Sequence, residues 1–449
     1  MRTLLLALVA ATLAAQPVDR NRPPDTPSVR AWKLAPVFET TLPNGLTVVL
    51  VEDNRVPIVT MRLVFPCGSR RDPKELPGVA SAVAEMLMQG TAGRTGSQII
   101  ESVDEIGGSM SAAAGSDQIA LSGNTVAESL PEFLEIASDV VRNASFPELE
   151  LKVFRQNRRQ VVARQRAQPA YAASEAFRAI IFGDHPYSRL APNPAALDQL
   201  TQKALEDYRD KFLTPNNAYL ILVGKLPARA QAMKVVSDQF SSWQRKPVVE
   251  IADPAPPAAK RRLILIDRPG ALQTSIQIGM LAAMQRDEDY FPAVVSDAML
   301  SPELPADARA EPSGLDEAGI FAIAMQEKTE AAGDALQAMI GRLGRMATAL
   351  PTAQELTDAK TAASSAFLLR LESQAGLAEN LALLKVLHLP AAYIESYTAR
   401  IEAVQPDEVR QATTKYLTPD NDTIVVVGDA SKLQPQLQKI GTFEVFRAK

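Results

Sequence analysis

Residues 211–224 read KFLTPNNAYLILVG and residues 415–428 read KYLTPDNDTIVVVG, the same pattern displaced by 204 positions (417 minus 213 for the shared leucine). In each copy a helical stretch leads into a Leu-Thr-Pro turn and an Asn, and an apolar, β-rich run then ends at Gly224 or Gly428. That order reads as helix, turn, buried strand. Two such strands predict one folding unit used twice. The starts of the halves agree more loosely. Residues 46–65 hold two β-rich runs split by Asp53-Asn54-Arg55, and residues 262–279 hold two split by Asp267-Arg268-Pro269-Gly270; both patterns read as hairpins.

Helical patterns fill the middle of each half. Ser129-Leu130-Pro131-Glu132 has the form of a capping box, after which Leu130, Phe133, Leu134, Ala137, Val140 and Val141 fall on one face. Ile99, Val103 and Ile106 do the same, and Gly107-Gly108 supplies a stop. Strands flanking helices predict an α+β fold of two homologous halves, each a mainly antiparallel sheet covered by helices. Residues 244–260, with Pro247, Pro254, Pro256 and Pro257, suit a stiff, solvated linker, which gives domains at 36–243 and 261–449.

Composition removes several function classes. Lysine plus arginine number 47 against 52 acidic residues, so no global positive field draws the chain to nucleic acid. Cys67 is the single cysteine, which excludes an internal disulfide and any multi-cysteine metal site; it reads as a small buried hydrophobe. Arg2, the apolar run of residues 4–13 and the small residues near Ala14-Ala15 have the form of a secretory signal over residues 1–15, too short to span a bilayer. Residues 16–35, with Pro17, Pro23, Pro24 and Pro27, read as a flexible lead-in. Export to the periplasm or cell envelope of a bacterium is the expectation.

The block PGVASAVAEMLMQGT at residues 77–91 resembles the active-site helix of the pitrilysin/insulinase group of zinc peptidases, whose signature there is His-x-x-Glu-His. LPNGL at 42–46, Gly107-Gly108, FGDHPY at 182–187 and the two Leu-Thr-Pro segments also resemble that group, in its order, across nearly the whole chain from residue 42 onward. The resemblance implies a clam-shell of two related halves. It also implies that a zinc ligand is replaced by Ser81, the catalytic base by Ala84, the second histidine by Glu85 and the distal glutamate by Gln165. Zinc chemistry needs two neutral histidines one helical turn apart, a carboxylate ligand and a base for the bound water. With those types missing, and with Arg158, Arg159, Arg164 and Arg166 near Gln165, the expectation is no catalytic residue, no metal and no other cofactor. The remaining histidines, His185 and His388, read as structural.

In active members the second half resembles an assistant that supplies an arginine and a tyrosine from a helix. Here Arg309 stands one place out of step and Glu317 falls on the tyrosine position, while Pro302, Pro305 and Pro312 break the helix. The glycine-rich stretch at 107–115 lacks the Gly-Lys-Ser/Thr of a phosphate loop, and the resemblance places an edge strand there, so Ser111, Ala112, Ala113 and Arg309 are candidate peptide contacts. Ser81 has no histidine beside it in sequence, which argues against a serine hydrolase. The six cations between Lys152 and Arg166 read as a solvated helix face. Taken together, the resemblance implies a pseudopeptidase subunit, similar to the non-catalytic processing-peptidase subunits, paired with an active His-x-x-Glu-His paralogue and closing around peptides. The alternatives are a stand-alone peptide-binding or scaffold protein, or a homodimer.

Overall fold

Each half builds one six-stranded sheet, and the two sheets repeat one strand order. The first contains β1 (Val37–Thr41), β2 (Thr47–Glu52), β3 (Ile58–Phe65), β4 (Ser109–Ala114), β5 (Ile119–Val126) and β6 (Tyr219–Gly224), arranged β1-β2-β6-β3-β5-β4. The second contains β7 (Arg262–Asp267), β8 (Gln273–Ala282), β9 (Arg309–Gly314), β10 (Gly319–Lys328), β11 (Thr423–Gly428) and β12 (Glu444–Arg447), arranged β12-β7-β11-β8-β10-β9. The computed structural model describes residues 33–248, 251–304, 309–416 and 421–447, with residues 309–314 described as backbone. The signal-like segment, most of the lead-in and the second Leu-Thr-Pro turn lie outside the described residues.

The two runs opening each half do not pair as hairpins. β6 lies between β2 and β3, parallel to the first and antiparallel to the second, and β11 separates β7 from β8 in the same way. The cause is apolarity: β6 and β11, the repeated segments of the sequence, are buried on both faces, and such strands belong at a sheet centre. Most pairings are antiparallel, as expected.

The first half carries α1 (Val79–Leu87), α2 (Gly96–Glu105), α3 (Leu130–Asn143), α4 (Glu148–Ala167), α5 (Pro169–Phe182), α6 (Pro194–Gln199), α7 (Gln202–Phe212) and α8 (Arg229–Phe240). The second carries α9 (Tyr290–Leu300), α10 (Ala332–Thr348), α11 (Ala353–Leu371), α12 (Gln374–Val386), α13 (Ala392–Ala403), α14 (Pro406–Tyr416) and α15 (Ala430–Leu437). The apolar faces of α2 and α3 are buried where the periodicity put them, and Gly107 at φ +63° follows the end of α2. The cap expected from Ser129 is not made. That residue sits in the 3-10 turn Ala127–Ser129 with φ −94° and ψ 13°, not in the extended conformation an N-cap needs. Capping boxes form instead at Thr95 with Gln98 and at Thr352 with Glu355.

One face of each sheet is covered by helices of its own half. The other is covered by a helix from the opposite half. Phe177, Ile181 and Phe182 of α5 pack on Ile264, Ile320, Val425 and Val427 of the second sheet. Leu377, Leu381 and Leu384 of α12 pack with Val49, Val51, Val64, Ile221 and Val223 of the first. α5 and α12 begin 205 positions apart (374 minus 169), so the exchange is reciprocal. The described residues of the linker are mostly exposed, as a solvated strap would be, but it is anchored: Arg71 donates to Ile251 O at 2.8 Å, and Asp253 is drawn into ion pairs with Arg70 and Arg71.

Candidate functional site

α1 starts at Gly78, whose φ of +98° suits glycine. Asp72 accepts the N–H of Gly78 at 2.6 Å and of Ala80 at 2.9 Å, and so satisfies the first free donors of the helix. Burial nevertheless pushes its carboxyl up to about 7, with those N–H groups pulling the other way. Along α1, Ser81 is half-buried, Ala84 is fully buried and Glu85 is exposed. The Glu85 carboxylate is taken by Arg158 of α4, whose guanidinium also lies over the Phe154 ring at 5.5 Å. Beside this pair α1 and α4 enclose a cavity of about 280 Å³ lined by Met86, Gln89, Glu150, Phe154 and Asn157. Gln165 lies seven residues beyond Arg158, about two turns further along α4, and is half-buried. The structure thus joins Glu85 to Arg158. It makes no hydrogen bond among Ser81, Glu85 and Gln165. Among the described residues no group of three or more His, Cys, Asp or Glu side chains is placed to hold a metal ion.

α4 presents the solvated face its charge pattern suggests, with Leu151, Phe154 and Val162 as its buried residues. Arg155 pairs with Glu148, Arg159 with Asp198 and Arg166 with Glu175, so within the helix's own half most of its cations are already matched. His185 is buried; its Nδ1 accepts the Tyr187 N–H at 3.2 Å, and burial lowers its pKa, which keeps the ring neutral. His388 closes α12 at φ +55° and is exposed. The Cys67 thiol is buried and pushed up to about 12.

Ser111, Ala112 and Ala113 lie on β4, which pairs only with β5 among the described residues and leaves its other edge free. Arg309 opens β9, the corresponding edge strand of the second sheet, opposite Ala324. Residues 309–314 form this strand, not the helix that the resemblance implies there. The structure therefore places the candidate peptide contacts on two sheets, with the three β4 residues adjacent and Arg309 apart from them.

The largest ionic cluster is one that motif reading missed. Arg70, its side chain 5% exposed, stands between the halves with Nη1 at 3.1 Å from both Asp316 and Glu317, and Nε at 3.5 Å from both Asp117 and Asp253. These are ion pairs without aligned hydrogen bonds. Asp117 lies in the β4–β5 turn and Asp316 and Glu317 in the β9–β10 turn, so two equivalent turns meet at one guanidinium. The Tyr187 hydroxyl donates to Asp117 and accepts the Glu317 N–H at 3.3 Å. Burial raises the pKa of Asp117, while Tyr187 and Arg70 pull it down. Tyr187 and Glu317 stand in stretches already singled out in the sequence, but no local spacing links them to Arg70.

Known proteins fit this geometry. A model of the insulinase domain (peptidase family M16) matches residues 47–195, and a model of the peptidase M16 inactive domain matches residues 199–363, together more than half of the chain. An uncharacterized zinc protease of Rickettsia felis is 28% identical over 186 residues, 41% of this chain and 45% of that protein, so the chain matches about half the length of this relative. The probable mitochondrial-processing peptidase subunit beta of Arabidopsis thaliana is 21% identical over 426 residues, 88% of this chain and 78% of that protein. The crystal structure of a peptidase M16 inactive domain from Pseudomonas fluorescens superposes with a TM-score of 0.81 at 22% identity, covering 88% of this chain and 98% of that one. With its two like sheets and both domain types in sequence, the chain belongs to peptidase family M16.

Proposed function

We propose that the chain is an exported, non-catalytic M16 subunit that holds extended peptide and pairs with a separate chain bearing an intact His-x-x-Glu-His site. The observation that carries this reading is the α1–α4 crossing. Ala84 offers a buried methyl where a base is needed, Glu85 is engaged by Arg158, and Gln165 is a neutral amide. Such a set does not fit zinc, which takes neutral histidine and anionic carboxylate donors and is repelled by a guanidinium. No step of hydrolysis is assigned to these residues.

Peptide holding is supported by the free edge of β4. Its sequence SMSAAA contains no charge and no proline, the two devices that usually blunt an exposed edge. An extended peptide adding there needs only main-chain groups, so this capacity outlives the loss of catalytic side chains. The relative named as a processing-peptidase subunit favours a partnered role, by analogy. The test is to mix the purified chain with a His-x-x-Glu-His paralogue from the same genome and measure both assembly and peptide cleavage. A one-to-one complex that cleaves faster than the paralogue alone is expected. Two chains that stay apart, with unchanged cleavage, would overturn the pairing and leave the stand-alone peptide-binding reading, which the same β4 edge supports.

A further inference from the structure

The face of the first sheet that α12 covers is apolar at its centre and polar at two edges: Glu39 on β1, which takes Lys385 of α12, and the corner where β3, β5 and β4 meet. Side chains alternate between faces along a strand, so residues two apart share a face. Val64 of β3 and Ala120 of β5 are paired in register and buried with Leu377, Ala378 and Leu381 of α12, which fixes this as the α12 side. Two and four residues back along β3 come Arg62 and Thr60. Arg62 pairs across to Ser122 and on to Ser111, and Thr60 pairs across to Asn124 and on to Ser109. Two consecutive rows, each three strands wide, are therefore polar throughout, and they end at the free β4 edge.

These rows border a cavity of about 230 Å³, closed on the α12 side by Ala375 and Ala378. The Arg62 side chain is 17% exposed, and its Nε is buried with no hydrogen-bond partner among the described residues. Its nearest acid, Glu379 of α12, is 3.7 Å from Nη2 and 63% exposed, a pair that solvent largely screens. Buried guanidinium donors are seldom left unpaired. The arrangement of a planar cation beside hydroxyls and an amide suits a carboxylate, which accepts a forked pair of hydrogen bonds from arginine and further ones from Ser and Asn.

We propose that this corner is a carboxylate-binding pocket that selects acidic peptides on the β4 edge, with Arg62 as its cation and Ser122, Ser111 and Asn124 as neutral partners. The inference rests on the peptide-holding reading of β4 and adds a ligand chemistry to it. The carboxylate comes either from an acidic side chain of the added peptide or from its C-terminus turned into the cavity.

Three fluorescent peptides of one β-prone sequence separate these sources when titrated against the full chain by anisotropy. One has a central Glu and an amidated end, one a central Gln and an amidated end, and one a central Gln and a free carboxylate end. One carboxylate-bearing peptide is expected to bind roughly ten- to a hundredfold more tightly than the Gln amide, in keeping with hydrogen bonds to charged groups. Arg62→Met is expected to abolish the difference, Arg62→Lys to restore part of it and Ser122→Ala, which removes only a hydroxyl, to reduce it. Equal affinity for all three peptides overturns the pocket while leaving peptide holding intact. If no peptide binds, peptide holding fails and acetate decides the pocket. A saturable shift of the Arg62 Nε–H resonance with sodium acetate, unmatched by sodium chloride, supports it, and equal response to the two salts overturns it.

Discussion

β4 and β9 occupy the same place in two sheets of the same strand order, yet they are finished differently. β4 reads SMSAAA and β9 reads RAEPSG, so Ala112 and Pro312, 200 positions apart, stand at equivalent points of two edge strands. A duplicated scaffold thus has one edge strand whose sequence lacks charge and proline and one whose sequence carries both, the devices that usually blunt an edge. The crossings behind these edges differ in size. α1 and α4 hold an ion pair beside a 280 Å³ cavity, whereas the corresponding α9 and α11, with α10 and α14, line a cavity of about 640 Å³ in which Met299, Met346 and Leu350 stand beside Arg342, Arg345, Glu355 and Asp358. The outer edges diverge too: β1 runs antiparallel to β2, while β12 arrives from the end of the chain and runs parallel to β7. Duplication kept what buries the central strands and released what faces outward.

The shared part should be the costliest to disturb. Phe177 and Leu381 are the reciprocal anchors of the helix exchange, both essentially inaccessible. Phe177→Ala should lower stability by about 3–5 kcal/mol and Leu381→Ala by about 2–5 kcal/mol in denaturant titrations. A large loss for one alone would break the symmetry of the exchange. Arg70→Met comes next, because it removes the central cation from among Asp117, Asp253, Asp316 and Glu317 where the two hairpin turns meet. About 3–5 kcal/mol is expected at neutral pH for breaking a buried ionic cluster. The deficit should shrink in acid as the carboxyl groups left facing one another take up protons.

Asp72 sets a pH dependence peculiar to the first half. Its carboxyl is raised to about 7 in the folded protein from an ordinary value of 3.8, so the native state holds a proton that the unfolded chain gives up. Its contribution to stability therefore falls as pH rises between roughly 4 and 7. Thermal melts across that range should show a fall that is lost in Asp72→Asn. Ala112→Pro copies Pro312 into the open edge, at a position where β9 already carries proline and still pairs with β10. About a tenfold loss of peptide affinity is expected with little change in stability. Glu85→Gln should matter least, below about 1 kcal/mol, since Glu85 in its pair with Arg158 is half-exposed.

The repeated segments at 211–224 and 415–428 were legible as buried strands because apolarity and turn chemistry are local properties. Their partners were not. The runs flanking Asp53-Asn54-Arg55 and Asp267-Arg268-Pro269-Gly270 look like hairpins, and the insertion of β6 and β11 between them depends on residues more than 140 positions away. Periodicity found the buried faces of α2 and α3, but it could not say that α5 and α12 would cross to the opposite sheets. At the site, Ser81, Ala84 and Glu85 could be placed on one helix from their framing residues. Arg158 was read as part of a charged face and as one of the cations around Gln165, not as the partner of Glu85, because an ion pair across 73 positions has no local spacing to betray it. The same holds for Arg70 and for the polar rows through Arg62, which exist only once β3, β5 and β4 are in register.

Metal content tests the emptied site most directly. The full chain, incubated with excess zinc, dialysed and assayed by mass spectrometry for bound metal and by peptide cleavage with and without chelator, should carry no stoichiometric zinc and show no chelator-sensitive cleavage. One tightly held zinc per chain, with proteolysis that chelator removes and zinc restores, would contradict a non-catalytic subunit.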